Sequence, residues 1–317
     1  MDTHEDVAVG TRAWVEQRVG GGHRVDGVER LRGGWTSEMR RLRISGPGTP
    51  RWLVLRSFIK PFFVQAAEGL LTREADILRL LAETEVPVAV FKGVDATAAH
   101  CDHPSLLMSL LPGSVRLDEA EAELRAGLLA RQLLAIHQVQ VPAESRPRVY
   151  EAWTSPELVR LPESTPRPDV WQRAVDVLRR EPPAYRPCFL HRDFHPGNVL
   201  FTGQGPGLEI SGVVDWVETS WGPADLDVAH CSTALALLYG PQSGMRFAER
   251  YLASGGTLSE DPADHLYWRV LDALGFAPDA EKVAVPWREL GRDDLTPALL
   301  TSRLEDYLYA LLCRFDD

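Results

Sequence analysis

Two neighbouring stretches decide how this chain is read: "HRDFHPGNVLF", residues 191–201, and "GVVDWVETSWG", residues 212–222. Between them, two apolar runs, Val199 to Thr202 and Leu208 to Val214, flank a Gly-Pro-Gly turn near Pro206 and Gly207. Such a pattern predicts a β-hairpin. Antiparallel pairing about that centre sets Asn198, at the start of the first strand, roughly opposite Asp215, just past the second. Asp193 precedes Asn198 by five residues, on the loop leading in. Three oxygen-bearing side chains are thereby expected at the open end of one hairpin.

Two chemistries compete for this constellation. In the first, Asn198 and Asp215 offer the one or two protein oxygens that Mg²⁺ accepts when water and phosphate complete its octahedron, and Asp193 acts off the metal as a base toward a hydroxyl. In the second, His191, Asp193 and His195, at i, i+2 and i+4, ligate a transition metal with Asp215 or His230, as in a metal-dependent hydrolase. The second has a difficulty, because Pro196-Gly197 turns the chain immediately after His195 and leaves Asn198 and the hairpin without a task.

Outward from the hairpin, the chain changes character once. Between Gly27 and Ile59, "GVERLRGGWTSEMRRLRI", the turn "SGPGTP" and "RWLVLRSFI" alternate short apolar runs with glycine and arginine, which predicts antiparallel strands. Val64 to Glu83 places Ala67, Leu70, Leu71, Ala75, Leu78 and Leu81 three and four apart, an amphipathic helix that ends before Pro87. "SLLMSLLPGSV", Ser105 to Val115, marks a crossover. Beyond it, helices are expected from Asp118 or Glu119 onward, at Asp169 to Arg180, Ala224 to Leu238, Ser243 to Ala253, Asp264 to Leu274 and Thr296 to Phe315, with a Pro-rich loop from Pro142 to Pro168. The fold class is α+β in two lobes: residues 1–110 rich in strand, residues 111–317 mainly helical.

Composition narrows the function. The 317 residues are 44% apolar and 25% charged, enough for a large core or two lobes. A formal net charge of −11 repels phosphate backbones and argues against nucleic acid as partner, and suits a cationic small molecule better. No run of eighteen apolar residues suggests a membrane span, and the acidic first twenty residues do not resemble a secretion signal. Cys101, Cys188, Cys231 and Cys313 are too scattered for a disulfide framework, so a reducing, cytoplasmic setting is expected.

The motif "HRDFHPGNVLF" followed by "VVDW" resembles the catalytic and metal-binding loops of the aminoglycoside phosphotransferase and choline kinase-like family, small-molecule kinases with a protein-kinase-like fold. "GPADLDVAH", residues 222–230, and "YWRVLDAL", residues 267–274, are similar to that family's later helical segments. The resemblance implies an N-terminal nucleotide lobe, ATP or another nucleoside triphosphate with Mg²⁺ as cofactors, and a hydroxylated small molecule as acceptor, an antibiotic or an amino-alcohol or sugar-type metabolite. It implies Asp193 as the base, Asn198 and Asp215 as metal ligands, and His191, His195 and Asp227 as supports of the loop. Arg56 stands where the family's phosphate-gripping cation is expected, with Lys60 in reserve, and Glu74 stands for its helix partner. Gly33 and Gly34 in "RGGWTSEM" would cover the triphosphate, and backbone groups near Met108 and Leu110 would meet the adenine. Acceptor recognition is open: Glu218, Asp225, Asp264 and Asp272 are acidic candidates, and Trp216, Trp221 and Trp268 are stacking candidates. The expected state is a monomer or homodimer. A non-catalytic nucleotide-binding relative remains an alternative, as does a kinase acting on protein, although too few residues separate "DW" from "WGP" for a peptide-docking segment.

Overall fold

A computed structural model describes residues 7–31 and 37–316. The chain divides into two compact units, Met1–Gly113 with Ser211–Val217, and Ser114–Ile210 with Glu218–Asp317.

The first unit is built on an antiparallel sheet. Its strands are β1 (Arg24–Leu31), β2 (Glu38–Ser45), β3 (Arg51–Ser57), β4 (Phe91–Asp95) and β5 (Ser105–Ser109), in the order β1-β2-β3-β5-β4. Alternation decides which face each side chain takes. Leu42 and Ile44 of β2 and Leu53 and Leu55 of β3 share one apolar cluster with Trp14 and Val15 of helix α1 (Val9–Val19). Val54 and Arg56 therefore fall on the opposite face of β3. Helix α2 (Pro61–Leu81) supplies that face: Ala67, Leu71, Ala75, Leu78 and Leu81 are buried at helical spacing, and so is Glu74. Pro61 at the first helical position starts α2 and ends the strand direction, so Lys60 caps the helix and does not extend β3.

The second unit is mainly helical, with α3 (Ala122–His137), α4 (Pro168–Leu178), α5 (Ala224–Tyr239), α6 (Pro241–Ala253), α7 (Pro262–Leu274), α8 (Glu281–Glu289) and α9 (Pro297–Phe315). Short strands β6 (Pro187–Leu190) and β9 (Ser220–Pro223) pair antiparallel, Cys188 opposite Gly222. β7 (Val199–Thr202) and β8 (Glu209–Val213) form the expected hairpin around a tight turn at Gly205–Gly207, and β8 carries the chain out of this unit after Ile210. All residues of α5 from Asp225 to Leu238 are buried, the ionisable ones, Asp225, Asp227 and His230, each with hydrogen-bond partners. Helices α6, α7 and α9 pack around it.

One expectation needs correction, and two helices were not anticipated. Neither Asp118 nor Glu119 opens α3, because Glu121 takes a left-handed conformation, φ 59°, immediately before Ala122. Helix α8 was hidden by Pro286 within it, and α1 by its weak amphipathic pattern. No helix among the described residues is long and apolar enough to cross a membrane.

The crossing of α5 with α6 depends on Gly244, where a Cβ would fall 2.4 Å from the Ser232 carbonyl oxygen and 2.8 Å from Ala236 Cβ. Gly244→Ala is expected to cost about 1–3 kcal/mol by overpacking, read as a lower urea midpoint with an unchanged slope.

Candidate active site

In the second unit, β6 delivers the chain to His191, and one carboxylate holds the backbone there. Asp227, in the first turn of α5, accepts the His191 N–H at Oδ2 and the Arg192 N–H at Oδ1, both at 2.8 Å. It is 0% exposed. His137 of α3 lies 3.2 Å from Oδ2 and is itself oriented by the Tyr251 hydroxyl at 2.7 Å. Burial alone would push the Asp227 carboxyl up, but the bond and charge of His137, with His191 and Arg192, hold it below its ordinary range. The staple supports a strained bend, since Arg192 has φ 74°. Its guanidinium lies 4.4 Å from the centre of the Trp153 ring and donates to the Glu151 carbonyl.

Asp193 emerges from this bend with both carboxylate oxygens engaged. Oδ1 meets His230 Nε2 at 3.0 Å, and Oδ2 accepts from Asn198 Nδ2 at 2.9 Å. Asn198 Nδ2 also donates to the Asp193 carbonyl at 2.9 Å, so both of its hydrogens are spent on one residue and its amide oxygen is turned away from it. Burial raises the Asp193 carboxyl, yet His195, His230 and His191 outweigh it and keep the group well below the usual carboxylate range. His191 is buried beneath the loop, its Nδ1 accepting the Asp193 N–H at 3.2 Å. His195 Nδ1 accepts the Gly197 N–H at 3.0 Å, closing a tight turn at Pro196–Asn198. Only glycine suits position 197, where a Cβ would stand 2.7 Å from His195 Cε1.

Asp193, His195 and His230 bring one potential ligand atom each within 4.8 Å of the others, the metal grouping among the described residues. The proton positions work against it. A ring whose Nδ1 accepts a backbone N–H carries its hydrogen on Nε2, so His195 turns an N–H, 3.7 Å from Asp193 Oδ1, toward the place a metal would occupy.

The first unit holds a second charged cluster. Arg56 Nη1 donates to Glu74 Oε1 and Oε2 at 3.0 and 2.9 Å and to Asp215 Oδ1 at 2.9 Å, while Nε donates to Ser37 Oγ at 3.0 Å. Arg56 is 3% exposed. Burial opposes its charge, but Asp215 and Glu74 more than compensate and tighten its hold on the proton. Glu74 is raised above its usual range because burial outweighs the attraction of Arg56. Asp215 takes φ 67°, and the segment around it is tied to its unit by Arg73 Nη1 to the Val217 carbonyl and by the Val213 N–H to the Pro87 carbonyl.

The remaining candidates divide. Gly33 and Gly34 lie outside the described residues. Met108 is paired on both sides, with Val54 of β3 and Phe91 of β4, and the Leu110 N–H donates to the Trp52 carbonyl at 3.4 Å. The acidic acceptor candidates are engaged internally: Glu218 with Arg148 at 2.6 Å, Asp225 with the Ser259 N–H at 3.1 Å, Asp264 with the Ser259 hydroxyl at 3.3 Å, and Asp272 with His230 at 2.9 Å. Trp216 and Trp268 are core residues, and Trp221 is covered by Arg146 at 4.7 Å. His230 figured in the sequence only as an optional metal ligand. Its spacing of three from Asp227 on one helix face was the signal that it would meet the same loop.

Asp227→Asn replaces one acceptor oxygen by a donor facing a buried N–H. The expected loss is about 1–3 kcal/mol in urea unfolding, with faster amide exchange at residues 191–193. Because the native carboxyl is depressed, its contribution is full above the ordinary carboxylate range and is lost as pH falls; the variant should lack this part of the acid dependence.

With this geometry in place, comparison gives the chain its relatives. A family model described as "Phosphotransferase enzyme family" matches residues 27–271. No curated protein sequence matches the chain. Among solved structures, a thermostable mutant of aminoglycoside phosphotransferase APH(4)-Ia, in ternary complex with AMP-PNP and hygromycin B, is 17% identical with TM-score 0.62, covering 96% of this chain and 99% of that one. Spectinomycin phosphotransferase APH(9)-Ia, in complex with ADP and spectinomycin, is 15% identical with TM-score 0.56, covering 97% and 99%. The macrolide 2'-phosphotransferase MphH from Brachybacterium faecium is 18% identical with TM-score 0.54, covering 92% and 97%. These likenesses establish the protein-kinase-like fold, with a small antiparallel sheet unit and a larger helical one, and the match over residues 27–271 places the chain in the phosphotransferase enzyme family.

Proposed function

We propose that this chain uses ATP, or another nucleoside triphosphate, with Mg²⁺ to phosphorylate a hydroxyl group of a small molecule, and that Asp193 is its base. The observation that carries the reading is the Asp193 carboxylate itself, ionised at neutral pH and held through both oxygens by His230 and Asn198. In phosphoryl transfer the acceptor oxygen forms its bond to the γ-phosphorus as the bond to the β-γ bridging oxygen breaks, and the hydroxyl proton leaves late. A weakly basic, firmly oriented carboxylate suits that late proton, which passes from the acceptor hydroxyl to Asp193 while the nucleoside diphosphate departs.

Asn198 and Asp215 are the proposed magnesium ligands. The donor set fits a hard cation: Asn198 has committed its N–H groups and retains an amide oxygen, and Asp215 spends Oδ1 on Arg56 and retains Oδ2. When bound, the ion would neutralise charge on the nucleotide phosphates. Arg56 is proposed to grip phosphate from β3, with Glu74 fixing its direction. The solved relatives named above carry hygromycin B and spectinomycin or are named for macrolides, which supports a hydroxylated antibiotic or a metabolite of related polarity as acceptor.

The test is Mg²⁺-dependent ATP consumption against hygromycin B, spectinomycin, macrolides and amino alcohols. At least one acceptor is expected to stimulate turnover, and Asp193→Asn to reduce it by about 100-fold or more while nucleotide affinity is kept. Asp215→Ala is expected instead to weaken Mg²⁺-nucleotide binding. Wild-type turnover in Asp193→Asn would remove Asp193 as the base. Binding of Mg²⁺-ATP without turnover on any acceptor would favour a binding module, and stoichiometric zinc or iron in the purified protein would favour the histidine metal site.

A further inference from the structure

Behind Asp193 stands a chain of ionisable side chains drawn from three separate elements. His230 Nε2, from α5, meets Asp193 Oδ1 at 3.0 Å, and His230 Nδ1 meets Asp272 Oδ1, from α7, at 2.9 Å. A neutral imidazole has one N–H and would turn a lone pair toward one of these carboxylates; only the imidazolium donates to both. Burial makes the distinction expensive, since His230 is 3% and Asp272 6% exposed. Among the described residues, Asp272 Oδ2 is buried with no hydrogen-bond partner, so the carboxylate relies on the charge of His230, hydrogen-bonded at Oδ1, for its nearest compensation. The ring plane is also fixed, by Phe276 stacked at 5.6 Å and Trp153 edge-on at 5.3 Å.

We propose that His230 and Asp272 are positioning residues for the transfer: the imidazolium, anchored by Asp272, fixes the Asp193 carboxylate in the orientation that receives the acceptor's proton. This rests on the reading of Asp193 as base. Both residues are buried, and neither is implied by the motif around Asp193. Besides Asp193 and Asp272, the titratable and charged groups facing this bridge are His195, with its ring 5.7 Å from that of His230, His191, which acts on Asp193, Arg192 and Lys282, which act on both carboxylates, and Cys231 and Tyr307, which lie within reach of the Asp272 charge. Burial favours a neutral His230, but Asp272 and Asp193 reverse this and push its pKa up to about 9. The bridge is therefore complete below the ordinary histidine range and is lost as pH rises through about 9.

The experiment uses the full chain labelled with nitrogen-15 histidine, as wild type, His230→Gln, Asp272→Asn and Asp272→Glu. In long-range proton-nitrogen spectra, with His230 assigned by its disappearance in His230→Gln, both ring nitrogens are expected to be protonated at neutral pH and to titrate near 9, and Asp272→Asn to bring the titration down toward ordinary histidine behaviour. With the acceptor found in the panel, Asp272→Asn should lower kcat by about 10- to 100-fold at unchanged nucleotide KM, and should shift the alkaline fall of the rate to lower pH. Asp272→Glu, retaining the charge, should recover part of the rate. A neutral His230 ring at neutral pH, or wild-type kcat and pH profile in folded Asp272→Asn, overturns the proposal. A doubly protonated ring in a wild-type protein that turns over no acceptor supports the bridge and overturns the kinase reading instead.

Discussion

The geometry of the loop that carries Asp193 depends on one buried carboxylate. Asp227 accepts two consecutive backbone N–H groups, which would otherwise be left without partners away from water. Bonds to a charged acceptor are worth about 1.5–3 kcal/mol each, enough to offset the left-handed strain of a non-glycine residue at Arg192. The placement of Asp227 in the first turn of α5 adds to this, because a helix N-terminus favours negative charge. That bend sets the direction of Asp193.

A second constraint acts in the sheet unit. Strand alternation sends Leu53 and Leu55 to the α1 side and Arg56 to the α2 side, so the buried guanidinium meets Glu74 because of the pleat and the helix repeat together. A buried arginine is tolerable there because Glu74 and Asp215 share its charge.

Much of this was legible in the sequence because the decisive signals were local. The His-x-Asp spacing with Asn198, the hairpin around Gly205–Gly207 and the amphipathic repeat of α2 each lie within a window of about twenty residues. What stayed hidden was non-local or masked. His230 was visible as a residue, but its pairing with Asp272 spans 42 positions and rests on how α5 and α7 pack. Asp272 itself looks in sequence like any acidic residue on an amphipathic helix, a candidate for meeting the acceptor when its partner is in fact a histidine. Helix α8 escaped because a proline inside a helix argues against it in sequence, and α3 began late because Glu121 adopted a conformation that glutamate seldom takes.

Helix α5 presents Asp227 and His230 one turn apart on the same face while the rest of its surface is enclosed by α6, α7 and α9. Chemistry and core packing thus share a single rigid rod, and its axis is set by contacts as tight as that at Gly244. On the proposed role of Asp193, a methyl group gained or lost in this interior would be felt in rate as well as in stability, because the rod it packs against holds the residue that orients the carboxylate.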